Sequence, residues 1–106
     1  MIDGGSTDGT MERVARWEAE VADERTRRGM KPMRCVTVSE PDRGLYDAMN
    51  KGLQRATGDY VWFLNAGDTF RLPETVAQLA DVAERNGRPD ILYGETDVTD
   101  SEGRFI

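Results

Sequence analysis

The chain contains no histidine and one cysteine, and these shortages exclude several kinds of catalytic and metal site. Without histidine, a Ser-His-Asp triad, a histidine base and a histidine-rich zinc site are all absent. A single cysteine, Cys35, cannot form an internal disulfide framework, and its place in the apolar stretch of residues 35–38 predicts a small core residue. Chemistry must therefore depend on carboxylates, amides and hydroxyls.

The chain also lacks long apolar runs and an excess of positive charge. No apolar run approaches the roughly 20 residues that a membrane span requires. The net charge of −6 argues against a nucleic-acid-binding surface, because phosphate neutralisation needs clustered Lys and Arg. We therefore expect no nucleic-acid partner and a cytoplasmic location, with a peripheral position at the inner membrane face also open.

The length and composition fit one small folded unit. The chain has 106 residues with an apolar fraction of 38%, which is ordinary for a protein with a packed core. Most complete α/β enzymes are longer than this. We therefore predict one partial domain that occupies residues 1–106.

Three stretches show helical spacing of apolar residues. The first, about residues 8–27, is predicted to begin at a Ser6 or Thr7 cap and to bury Val14, Trp17, Val21 and Ala22. The second has the clearest period, with one face made by Leu45, Ala48, Met49, Gly52, Leu53 and Ala56. A third is predicted to start at Pro73 and end at Gly87, with a buried face of Val76, Leu79, Ala80 and Ala83.

Short β-prone segments alternate with these helices at residues 1–3, 34–39, 60–64 and 91–93. Alternation of strand and helix predicts an α/β fold with a parallel sheet covered on both faces. The run at 60–64 is continuously apolar, which is typical of a strand buried on both faces, so Trp62 and Phe63 are expected in the core. Gly52 in a helix interior costs roughly 1 kcal/mol against alanine, which indicates close packing on the sheet.

Two aspartates follow predicted strands. Asp3 ends the first strand before the loop GGSTDGT, and Asp68 follows residues 60–64 after a short turn. Ligands of open α/β sheets bind beyond the carboxyl ends of the strands, so we predict that both carboxylates meet at one crevice. A purely structural role remains open for each, as a turn residue for Asp3 and a cap for Asp68.

Three segments of this sequence, DGGSTDGT, SEPDRGLYDAMNKGLQRATGDYVWFLNAGD and LPETV, resemble family 2 glycosyltransferases in their order and spacing. The resemblance is strongest to bacterial members that build surface polysaccharides. It implies the GT-A fold, a Rossmann-like three-layer sandwich, here partial and lacking the first strand and helix and the acceptor-side half. It also implies transfer of a sugar, with inversion, from a nucleotide-diphosphate sugar to a glycan or lipid-linked acceptor in polysaccharide or glycan biosynthesis.

The resemblance also implies roles for four residues. The family aspartate that matches Asp3 contacts the nucleotide base, and the one that matches Asp68 binds a divalent metal, Mn²⁺ or Mg²⁺, which prefers oxygen ligands. Arg43 is expected to contact the nucleotide or its phosphates, with a scaffold role also open, and Asn65 to bond the ribose. The family's catalytic base comes from the acceptor half, so no catalytic residue is assigned within residues 1–106.

A missing first strand would leave unpaired sheet edges, and exposed edges pair readily with another chain. We therefore expect a homo-oligomer formed through these edges. The alternative function is a truncated, catalytically inactive domain that serves as an oligomeric or protein-interaction module.

Overall fold

In a computed structural model, which describes all 106 residues, the chain divides into two units, Met1–Phe63 and Leu64–Ile106. The first unit contains, in order, β1 (Ile2–Asp3), α1 (Thr10–Arg27), β2 (Val38–Ser39) and α2 (Leu45–Arg55). The second contains α3 (Thr75–Arg85) and an isolated antiparallel bridge between Thr99 and Phe105. Each unit is described by itself below.

The two strands form a parallel pair, with α1 in the connection between them. The register aligns Ile2 with Val38 and Asp3 with Ser39. Beyond β2 the backbone N–H of Glu40 donates to the carbonyl oxygen of Asp3 at 3.0 Å. The expected α/β class with parallel strands is therefore confirmed, in the form of a two-stranded sheet.

Three of the strand predictions need correction. The strand expected at 34–39 is reduced to Val38–Ser39, and residues 60–64 and 91–93 form no strand. The side chains of Trp62 and Phe63 are 52% and 41% exposed, so their expected place in the core is also wrong. Apolar character marks a segment that is able to pair, but a strand forms only where a neighbour supplies its backbone hydrogen bonds.

Helix α1 begins at Thr10, two residues after the expected start. Ser6 does not cap it, because the Ser6 hydroxyl donates to the carboxylate of Asp3 instead. The first-turn amide of Thr10 is bonded by Asp8 Oδ1 at 3.2 Å, and the bonds from Thr10 lower the pKa of Asp8. The helix ends at Arg27 as predicted, and Gly29, which follows with a φ of 64°, adopts a conformation that suits glycine.

The inward face of α1 is centred on Glu18, and its half-buried residues are Met11, Val14, Glu18, Val21 and Arg25. Glu18 Oε1 accepts hydrogen bonds from Thr37 Oγ1 at 2.6 Å and from Cys35 Sγ at 3.0 Å. These bonds turn Glu18 inward and leave Trp17, expected to be buried, 49% exposed. Cys35 is also exposed rather than buried, and its bond to Glu18 raises the pKa of the thiol.

Helix α2 spans Leu45–Arg55, one residue short of the predicted end, and packs on β1. At the contact, a Cβ added to Gly52 would lie 3.5 Å from Ile2 Cγ1. The predicted close packing of Gly52 on the sheet is therefore confirmed. Leu45 and Leu53, expected on the same buried face, are instead 55% and 52% exposed.

Gly52→Ala should stabilise the first unit, because a Cβ at 3.5 Å from Ile2 makes an ordinary van der Waals contact. Alanine is the better helix former, so we expect the free energy of unfolding to rise by up to about 1 kcal/mol. Thermal unfolding followed by circular dichroism at the helix band measures the change. Gly52→Leu is the control: its longer side chain would meet Ile2 and lower the stability. A less stable alanine variant would contradict the contact described.

Helix α3 starts at Thr75, two residues after the predicted start at Pro73. Pro73 lies in the preceding turn, where the Leu72 N–H donates to Thr75 Oγ1 at 3.2 Å. Ala83 is buried as expected, whereas Val76 is 53% exposed. Gly87 ends the helix as predicted, with a φ of 72°.

The hydrophobic core within this chain is small. The accessible surface is 9306 Å², against about 6,000 Å² expected for a folded monomer of 11.9 kDa. Ala83 and Asp3, which are 4% and 8% exposed, are the two buried residues. None of the three helices has both the length and the hydropathy needed to cross a membrane.

Candidate functional site

The carboxyl end of β1 holds Asp3, whose carboxylate is 8% exposed and organises the loop that follows. Oδ2 accepts the backbone N–H groups of Gly5 at 3.1 Å and Ser6 at 2.9 Å, and the Ser39 hydroxyl at 2.6 Å. Oδ1 accepts the Ser6 hydroxyl. These bonds, that from Ser39 foremost, stabilise the ionised form and lower the pKa of Asp3 to about 2. Asp3 therefore joins the ends of β1 and β2.

The loop after β2 packs directly on the loop after β1. Asp42 Oδ1 accepts the backbone N–H of Gly44 at 2.9 Å, which fixes the carboxylate. Asp42 Oδ2 lies only 2.8 Å from the position that a Cβ on Gly4 would occupy. A side chain at Gly4 would therefore require the Asp42 carboxylate to move, because the two strand-end loops approach each other at this point.

Helix α2 holds the second loop from the other side through Lys51, which is 19% exposed. Lys51 Nζ donates to the Pro41 carbonyl at 2.9 Å and pairs with Glu40 at 3.1 Å and Asp47 at 3.5 Å. Partial burial opposes the charge, but the two carboxylates prevail and raise the pKa of Lys51. Asp47 Oδ2 in turn accepts the backbone N–H of Arg43 at 3.0 Å.

The structure places Arg43 in this second loop, adjacent to the Asp3 loop. Its side chain is 90% exposed, and the guanidinium lies 3.6 Å from Asp47 Oδ1. An ion pair so exposed contributes little stability and is readily exchanged for another anion. Of the four predicted site residues, the first unit thus brings together Asp3 and the loop that carries Arg43.

The other two, Asn65 and Asp68, belong to the second unit. They form a turn in which the backbone N–H of Asp68 donates to the Asn65 carbonyl at 3.0 Å, with Gly67 at a φ of 93°. No group of three or more His, Cys, Asp or Glu residues in the chain could hold a metal ion. A single carboxylate is a suitable ligand for a cation that arrives already bound to phosphate oxygens, as Mg²⁺ commonly does. It is too few ligands for a site made by the protein alone.

Sequence reasoning missed four residues that build the first unit's loops: Ser39, Asp42, Asp47 and Lys51. The spacing of Asp47 and Lys51, four positions apart on a helix, was a usable signal for an ion pair. Neither belongs to the predicted apolar face of α2, yet both are half-buried. The bond from Ser39 to Asp3 spans 36 positions and has no local signal in the sequence.

Comparison with known proteins identifies the family of the chain. The family described as Glycosyl transferase family 2 matches residues 1–106. Uncharacterized glycosyltransferase Rv1514c of Mycobacterium tuberculosis (strain ATCC 25618 / H37Rv) is 36% identical over 94 residues, which are 89% of this chain and 31% of the relative. A PGL/p-HBAD biosynthesis glycosyltransferase of Mycobacterium bovis (strain BCG / Pasteur 1173P2) is 30% identical over 95 residues, 90% of this chain and 33% of that protein.

The chain thus spans about a third of the length of these relatives. No solved structure gives a significant match. The match over the whole chain and the similarity to two glycosyltransferases establish one conclusion: the chain belongs to glycosyl transferase family 2.

Proposed function

We propose that the chain is the donor-binding part of an inverting glycosyltransferase with the GT-A fold, which takes its sugar from a nucleotide-diphosphate sugar. Family membership supports the reaction class. The observation that carries the donor role is the junction at the carboxyl ends of β1 and β2, where Asp3 joins two loops. Ligands of parallel α/β sheets bind at this edge.

Asp3 and Arg43 have geometry suited to a nucleotide. Asp3 Oδ1 accepts one hydrogen bond, from Ser6, so it keeps a lone pair for an N–H donor of the base. The exposed guanidinium of Arg43 is free to leave Asp47 for the diphosphate, whose oxygens it can bind in a bidentate manner. We assign these two residues to the base and the diphosphate respectively.

In the second unit we assign Asn65 to a ribose hydroxyl and Asp68 to the divalent cation, Mn²⁺ or Mg²⁺, bound with the diphosphate. When bound, such a cation supplies charge neutralisation for the departing nucleoside diphosphate. Asp68 contributes one carboxylate oxygen donor to that set. Neither Glu95 nor Asp97 is assigned as the base, and Asp97 pairs with Arg71 at 3.2 Å.

We also propose a class of acceptor, a cellular location and an oligomeric state. One relative is described as acting in PGL/p-HBAD biosynthesis, which favours a glycan or lipid-linked acceptor for this chain as well. We propose a cytoplasmic protein, able to lie at the inner membrane face where such acceptors are reached. The open edges of the two-stranded sheet favour assembly into a homo-oligomer.

The test is calorimetric titration of the chain with UDP, GDP and dTDP, each with and without Mn²⁺. Saturable binding of at least one of them, tightened by Mn²⁺, is the expected result. Absence of binding to all three would overturn the donor role. Self-association without nucleotide binding would favour the inactive interaction module, for which the exposed apolar residues 60–64 provide a surface.

A further inference from the structure

Lys51 is unusual for a lysine, because its side chain is largely covered and its ammonium group faces three acceptors. Its side chain is 19% exposed, whereas lysines are mostly solvent-facing. The three N–H donors of Nζ face three acceptors, the Pro41 carbonyl and the carboxylates of Glu40 and Asp47, at 2.9, 3.1 and 3.5 Å. Lys51 therefore ties α2 to residues 40–43, which we call the Arg43 segment.

Asp47 connects Lys51 with the far end of the Arg43 segment. The same Oδ2 atom that faces Lys51 accepts the backbone N–H of Arg43 at 3.0 Å. With Lys51 removed, the Asp47 carboxylate would lose its positive neighbour on α2 and would be held only by its contacts with Arg43. Lys51 thus contacts the start of the Arg43 segment directly and its far end through Asp47.

The opposite side of the Arg43 segment meets the Asp3 loop. The Glu40 N–H donates to the Asp3 carbonyl at 3.0 Å, and Ser39, just before the segment, donates to the Asp3 carboxylate at 2.6 Å. The segment is therefore held between the Asp3 loop and α2. A shift of the segment toward α2 or away from it would move Arg43 relative to Asp3.

We propose that Lys51 is a positioning residue for nucleotide binding, which fixes the Arg43 segment so that the Arg43 guanidinium stands at the edge formed by Asp3. This inference rests on the proposed function, because it concerns the same nucleotide site. Lys51 does not bind the phosphates itself, since its three donors are engaged within the protein.

The experiment compares Lys51→Met, which keeps the apolar stem, with Lys51→Arg, which keeps the charge. The probes are UDP, GDP and dTDP with Mn²⁺, titrated by calorimetry. We expect Kd to rise roughly tenfold for Lys51→Met, which is about the size of one weakened hydrogen bond to a charged group, and to recover to within about threefold for Lys51→Arg. Arg85→Met is the matched control, because it removes one positive charge from an exposed ion pair with Asp81 on α3 and should leave Kd unchanged.

Hydrogen exchange measured by NMR supplies the second readout. The Arg43 amide should exchange faster in Lys51→Met, while the amides of α3 and the helix content by circular dichroism stay unchanged. Weaker nucleotide binding with unaltered exchange at Arg43 would indicate a direct contact of Lys51 with the ligand and overturn the positioning role. Equal affinity of the wild type and Lys51→Met would overturn this inference alone, whereas absence of binding by the wild type would overturn the proposed function and this inference with it.

Discussion

Asp68→Asn is expected to abolish the gain in nucleotide affinity that Mn²⁺ provides, while leaving metal-free binding unchanged. Asparagine keeps the size of the side chain and an oxygen, but it loses the charge that a divalent cation requires. Substitutions of outer-shell partners already weaken metal affinity by about 10- to 100-fold. Loss of the sole protein carboxylate should reach the upper end of this range. Calorimetric titration of each nucleotide with and without Mn²⁺ measures the effect.

Asp81→Asn is the matched control for this experiment. It removes one negative charge from the same unit, on an exposed face of α3 where Asp81 pairs with Arg85 at 2.7 Å. This variant should retain the full gain from Mn²⁺. If Asp68→Asn also retained it, the carboxylate would have no part in cation binding, and Asp68 would contribute only its backbone N–H to the turn with Asn65.

Asp3→Ala should produce the largest loss in the first unit. The substitution removes the acceptor for donors in both strand-end loops, namely the N–H groups of Gly5 and Ser6 and the hydroxyls of Ser6 and Ser39. The two loops would lose the bonds that the Asp3 carboxylate makes to both of them. The base would lose the hydrogen-bond acceptor that we propose for it. We expect nucleotide affinity to fall by about 100-fold when measured by the same titration, because a hydrogen bond from the base to a charged carboxylate is lost.

The ionisation of Asp3 gives an independent measurement. Its pKa is lowered from 3.8 to about 2, so the carboxylate is favoured in the folded state. Its contribution to stability is therefore complete above about pH 4, the value for an unfolded aspartate, and is lost as the pH falls through 2. NMR titration of the Gly5 and Ser6 amides should show a midpoint near 2.

Ser39→Ala should move this midpoint upward, because the Ser39 hydroxyl is the first cause of the lowered pKa of Asp3. Ser101→Ala, in the second unit, is the control and should leave the midpoint in place. A wild-type midpoint at the ordinary aspartate value of 3.8 would contradict the set of bonds described for Asp3.

The helices could be predicted because their signals are local. The period of apolar residues placed α2 to within one residue of its observed end, and the glycines at 29 and 87 marked where α1 and α3 stop. Local signals could not decide whether residues 60–64 form a strand, because strand pairing depends on a neighbour elsewhere in the chain. These residues have the apolar pattern of a buried strand, but they are not part of the sheet, which consists of β1 and β2.

The position of one candidate site residue was predictable for the same reason. Asp3 was expected at the end of a strand, where ligands of parallel sheets bind, and it lies at the end of β1. Its partner Ser39 could not, because that contact follows only from the register of two strands. Lys51 carried a helix-spacing signal toward Asp47, but its main-chain partner Pro41 lies in a loop whose course no periodicity describes.

The parallel pairing of β1 with β2 also sets an order of events during folding. The strands lie 36 positions apart, and the 18 residues of α1 form half of the chain between them. Once helical, those residues span only about 27 Å, and a helix of this length forms within about a microsecond. We therefore expect formation of α1 to shorten the search for strand pairing. Changes that weaken α1 should slow folding, whereas loss of the late Asp3 bonds should chiefly speed unfolding.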